Sequence, residues 1–239
     1  MPTPALSLDA LSKAYGRRRV LEELSLTVEP GECFALVGVN GAGKTTCIKV
    51  LLDFCRADSG SAAIFGVPHT RTVARGRLAF LPERFLPPYY LTGRDFLRYM
   101  ARLQGRGYEE ERAARSCREL DLDADALERP VREYSKGMAQ KLGLVSCLLS
   151  GKELMVLDEP MSGLDPKARL LVKRRLGALH RAGTALFLST HMLADVAEIC
   201  DRMAILHGGR LHFLGTPGEC VERFGGTLEE AYLACISEA

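Results

Sequence analysis

The chain holds no tryptophan and one asparagine, Asn40, in 239 residues. No apolar run approaches the roughly 18 residues needed to cross a bilayer, so nothing reads as a membrane span. The eight cysteines form no Cys-x-x-Cys pair and do not cluster with the five histidines, which excludes the usual zinc spacings. Several lie in apolar runs, such as Cys147 between Ser146 and Leu148, as buried thiols of a reducing compartment do. Charge of one sign is also scarce. The formal net charge is +2 and a tight basic run such as Arg17-Arg18-Arg19 reads as a solvated turn, so no nucleic-acid partner is expected. The start, Met1-Pro-Thr-Pro-Ala-Leu, lacks a basic-then-apolar signal pattern, and a cytoplasmic location is expected. An apolar share of 47% supports a sizeable core, and the length suits one α/β domain with or without a sub-lobe.

What is present concentrates in Gly38-Val-Asn-Gly-Ala-Gly-Lys-Thr-Thr46, which fits G-x-x-x-x-G-K-[ST]. Cys33 to Val37 before it read as a buried strand, and Thr46 to Phe54 after it as a helix. A glycine-rich turn between strand and helix points backbone N–H groups at a phosphate, and the helix end adds partial positive charge. The expected nucleotide contacts are Asn40, Gly41, Gly43, Lys44, Thr45 and Thr46. Lys44 supplies charge to the β- and γ-phosphates, and the Thr45 hydroxyl can sit on Mg²⁺. An Asn-Lys-x-Asp element for guanine is impossible with Asn40 the only asparagine, which argues against a GTPase.

Strand periodicity over residues 5–31 (Leu6, Leu8, then Leu24, Leu26, Val28) ends at Glu29-Pro-Gly-Glu32. Ser61 to Phe65 and Leu78 to Leu81 read as further strands. From Gly93 to about Ser150 the period becomes helical, with segments Arg94–Leu103, Glu109–Leu120 and Met138–Leu149. Strands return at Leu154–Leu157, Ala185–Leu188 and Met203–Leu206, separated by helices at Pro166–Ala182 and Met192–Ile199. The pattern describes an α/β P-loop core with a helical lobe inserted. Leu154-Met-Val-Leu-Asp-Glu159 is an apolar strand ending in two carboxylates. Strand neighbours point to opposite sides, so two separate jobs are expected: Asp158 for Mg²⁺ and Glu159 for the attacking water.

Between these motifs stands Tyr134-Ser-Lys-Gly-Met-Ala-Gln-Lys141. Here the chain resembles the ATP-binding subunits of ABC transporters, whose L-S-G-G-Q-x-Q-R signature occupies the same place. The resemblance covers nearly the whole chain. Tyr15 looks like the aromatic residue that stacks on adenine. Leu81-Pro-Glu83 looks like the Q-loop, Ser162-Gly-Leu-Asp165 the D-loop, and Ser189-Thr-His191 the switch histidine. The resemblance implies a P-loop NTPase core (1–84 and 151–215) with an antiparallel β subdomain, an inserted helical subdomain (85–150) and a C-terminal tail (216–239). It implies Glu159 and His191 as catalytic residues, Ser135 and Gly137 as γ-phosphate contacts, Thr45, Glu83 and Asp158 toward the metal, and ATP with Mg²⁺.

Tyr134, Lys136 and Met138 replace Leu, Gly and Gln of the signature, but Ser135 and Gly137 still precede a helix whose start favours phosphate. Glu83 replaces glutamine; it offers oxygen but donates no hydrogen bond. The Tyr-Ser-Lys-Gly-Met form, the Pro-Glu of the Q-loop and the tail Gly226 to Leu233 resemble the exporter branch. The resemblance thus implies an ATPase subunit at the cytoplasmic face of the membrane. Two copies would pair head to tail and drive separate transmembrane permease subunits. The alternative is a soluble ATPase of this type acting on ribosomes or DNA; the second domain or coiled-coil insert usual there is missing. The aromatic, proline-rich stretch Arg84 to Leu91 reads either as tucked under the helical lobe through Phe85 and Leu86 or as a groove for a membrane partner.

Overall fold

The computed structural model describes residues 3–237. Two sheets form the frame. An antiparallel sheet has the order β2-β1-β4-β5, from β1 (Leu6–Tyr15), β2 (Arg18–Val28), β4 (Ser59–Ile64) and β5 (Val67–Pro68). A six-stranded sheet has the order β10-β9-β3-β8-β7-β6. Its strands are β3 (Cys33–Val37), β6 (Leu78–Leu81), β7 (Leu154–Asp158), β8 (Ala185–Thr190), β9 (Arg202–His207) and β10 (Arg210–Gly215). All neighbours are parallel except β10, which lies antiparallel on the edge. Every residue of β3, β7 and β8 is buried, as expected of parallel strands covered on both faces.

The helices are α1 (Lys44–Leu51), α2 (Thr72–Arg75), α3 (Gly93–Leu103), α4 (Glu110–Glu119), α5 (Lys136–Ser150), α6 (Pro166–Arg181), α7 (Leu193–Ile199), α8 (Pro217–Phe224) and α9 (Leu228–Ser237). This order builds three apolar clusters. One lies between the two sheets around α1, with Phe34 and Phe187 stacked at 6.0 Å. A second joins α3, α4, α5 and α6 to the opposite face of the sheet. The third packs α7, α8 and α9 on Ala35, Val37, Met203 and Ile205. Residues Gln140 to Leu148 of α5 are all buried, because protein surrounds this helix on every side.

Three details differ from the sequence reading. Helix α1 starts at Lys44 rather than Thr46, because Gly43 at φ 117° lets the chain turn straight into it. The short α2 carries too little periodicity to be read. The C-terminal tail is two helices. A capping box between Thr216 and Glu219 starts α8, and Pro217 follows it in the first turn.

Candidate active site

The site forms where parallel strands end on one edge of the sheet, the usual ligand position in open α/β folds. Register brings the parts together: Val37 of β3 pairs with Thr190 of β8, and Asp158 of β7 pairs with Ser189. The turn after β3 then passes close to β9. A Cβ on Gly38 would stand 2.4 Å from the Leu206 carbonyl oxygen, so only glycine fits.

Lys44 is 5% exposed. Its ammonium donates to the carbonyls of Gly38 at 2.6 Å and Val39 at 3.3 Å, and lies 3.1 Å from Glu159 Oε1. The other Glu159 oxygen is 3.0 Å from His191 Nδ1. Asp158 accepts hydrogen bonds from the hydroxyls of Thr45, at 2.9 Å, and of Ser189. The two carboxylates therefore do not face opposite sides. The strand ends at Asp158, and Glu159 follows with φ 47°. That left-handed residue swings its side chain back, so both acids converge on the start of α1. The Glu159 N–H donates to Ser189 Oγ at 3.0 Å and to the Ser189 carbonyl at 3.2 Å.

A cavity of about 350 Å³ opens above this floor, lined by Val20, Asn40, Gly41, Gly43, Lys44, Thr45, Thr46, Glu83 and Glu159. Tyr15 is 51% exposed at the end of β1 and stands beside Thr46, with its hydroxyl 3.7 Å from Cys55 Sγ. That contact, with some burial, raises the phenol pKa. Behind the floor, burial pushes the Cys47 thiol up to about 12, and the charge of Asp158 adds to the effect. Ser135 and Gly137 do not line the cavity. Ser135 caps α5 by accepting from the Met138 N–H at 3.2 Å, at the exposed start of that helix.

Thr45 and Asp158 are hydrogen-bonded and Glu83 lines the same adjoining pocket, all oxygen donors of the kind Mg²⁺ takes. Sequence reasoning placed Ser189 only inside a motif and missed its double role; a hydroxyl at the end of a buried strand was the available signal.

A family model described as ABC transporter matches residues 21–162. The chain belongs to the ABC transporter family. It is 35% identical over 228 residues to the Nod factor export ATP-binding protein I of Paraburkholderia xenovorans, covering 92% of this chain and 74% of that protein. It is 40% identical over 203 residues to an uncharacterized ABC transporter ATP-binding protein of Synechocystis, covering 83% of this chain. A second such protein, from Nostoc, is 41% identical over 203 residues and likewise covers 83% of this chain. The chain spans 57% and 60% of the lengths of these two relatives. A solved ATP-binding subunit of an ABC transporter superposes with TM-score 0.88 at 33% identity, over 97% of this chain and 99% of that one. An ATP-binding cassette solved as a dimer bound to ADP and Pi shares the fold, with TM-score 0.81 at 18% identity, over 88% of this chain and 98% of that one.

Proposed function

We propose that this ABC family member binds and hydrolyses ATP and powers export through separate membrane-spanning subunits, working as a head-to-tail dimer at the cytoplasmic face. The observation that carries the reading is the convergence of Lys44, Thr45 and Glu159 on one cavity, with His191 against Glu159 and Asp158 bonded to Thr45. Family membership supports ATP as the substrate. The names of the Nod factor export relatives support the export direction. Among the described residues no helix is long and apolar enough to cross a membrane, in keeping with the path lying in other chains.

Lys44 meets the β- and γ-phosphates, which compete with Glu159 for its charge. Glu159, released from Lys44 but still held by His191, then faces the attacking water and takes its proton. Tyr15 stacks on the base beside Thr46, and Glu83 borders the γ-phosphate end. Thr45, Asp158 and Glu83 would hold Mg²⁺, whose charge offsets that of the phosphates. Ser135 and Gly137, away from their own chain's cavity, contact the γ-phosphate bound by the partner subunit, with the start of α5 supplying N–H groups.

Two variants test this. Lys44→Ala is expected to lose most ATP affinity in calorimetry, because a buried polyphosphate lacks its main counter-charge. Glu159→Gln is expected to bind ATP, accumulate as a closed dimer in size-exclusion chromatography and hydrolyse about 10²–10⁴-fold more slowly. Hydrolysis at the normal rate by Glu159→Gln would remove it from the base role.

A further inference from the structure

Asp195 is 3% exposed and lies outside the cavity, yet two cations are committed to it. Arg169 Nη2 is 2.7 Å from one of its oxygens and Lys173 Nζ is 3.6 Å from the other. Lys173 is shared with the exposed Glu198. The two helices so joined each begin at a functional loop. Helix α6 is capped by Asp165, whose side chain accepts from the Ala168 N–H at 2.9 Å, and the Arg169 N–H reaches the Asp165 carbonyl at 3.0 Å. Arg169 therefore sits one turn from the 162–165 loop. Helix α7 begins two residues after His191 and has only seven residues and no side-chain cap. A helix this short has little stability of its own, so its position is set by contacts. Leu193 and Val196 fix one side against Val37 of β3. Asp195 fixes the other.

Apolar residues would hold α6 against α7 as firmly, since a buried ion pair adds little net stability over a well-packed apolar contact. What the charges add is a single register. We infer that Asp195 is a positioning residue for the hydrolytic reaction: it ties the 162–165 loop, through Arg169 and α6, to the placement of His191 beside Glu159. The inference rests on the ATPase reading above and adds a route from that loop to the site. In a head-to-tail dimer the same route would make each site sensitive to the loop's surroundings.

The test uses the full chain. Asp195→Asn keeps the shape and removes the charge. It is expected to lower kcat for ATP by about tenfold, with KM within about twofold and the thermal midpoint within a few degrees. Arg169→Met should reproduce this, the double variant should be no slower than either single one, and Arg169→Lys should keep most of the rate. The histidine ring signals of His191 in NMR, assigned with His191→Gln, should move in Asp195→Asn. Unchanged kcat with unmoved ring signals overturns the inference. So does a collapse of KM and midpoint along with kcat, the mark of a merely structural residue. Were the unsubstituted protein unable to hydrolyse ATP, the ATPase reading would fall, and the NMR signals alone would decide whether Asp195 sets His191.

Discussion

Glu159 leaves β7 in a left-handed backbone conformation, which costs a residue with a side chain about 1–2 kcal/mol. Ser189 compensates. Its hydroxyl accepts from the Glu159 N–H and donates to Asp158, so one side chain fixes both carboxylates. Ser189→Ala would leave the Glu159 N–H only the Ser189 carbonyl and remove a donor from a buried carboxylate. A stability loss of about 1–3 kcal/mol is expected in denaturant titration, with a fall in phosphate release of about tenfold or more. Unchanged hydrolysis in that variant would show that the strand register alone sets Glu159. Lys44, Thr45 and Asp158 were legible in the sequence, because each sits at a fixed offset within its own motif. The Ser189 contacts were not. They join residues 30 and 31 positions apart, and only the pairing of β7 with β8 brings them together.

Among elements, those with a strong period were readable and those defined by tertiary contact were not. The buried strands announced themselves as apolar runs. Helices α8 and α9 did not stand out from a polar tail, although their apolar residues close the third cluster over β3 and β9. The segment after Glu83 divides between its two readings. Phe85 packs edge-on against Phe96 at 5.5 Å, so it is tucked as one reading expects. Leu86 is 85% exposed and was misplaced by that reading. Tyr89 and Tyr90 are each 68% exposed and touch one another at 5.5 Å. On the proposed function this loop, next to Glu83, meets the membrane-spanning partner. Replacing both tyrosines with serine is expected to leave ATP binding by the isolated chain within about twofold and to weaken co-purification with that partner from detergent. A complex that survives intact would take this loop out of the interface.

At the scale of the whole molecule, the cysteine pattern fits an interior that keeps its thiols neutral. Cys47, Cys117 and Cys147 are buried in two different clusters. Burial lifts Cys47 and Cys147 from 9.0 to about 12, and Cys117 to about 11. Tyr134, half-buried with its hydroxyl donating to the Ala126 carbonyl, is raised from 10.0 to about 12, chiefly by burial. Well below pH 9.0 these groups are protonated both folded and unfolded, and they leave stability unchanged. Between pH 9.0 and about 12 the unfolded chain releases protons that the folded chain keeps. The unfolded state then holds fewer protons, and stability falls as pH rises, by up to about 1.4 kcal/mol per pH unit for each such group. The urea midpoint is therefore expected to be flat from about pH 7 to 8.5 and to drop steeply above pH 9. Cys147→Ala should lose some stability throughout, from the smaller side chain, and show a shallower alkaline decline. A midpoint that stays level to pH 10.5, or a decline of the same slope in Cys147→Ala, would mean that these thiols ionise in the folded protein as readily as in water.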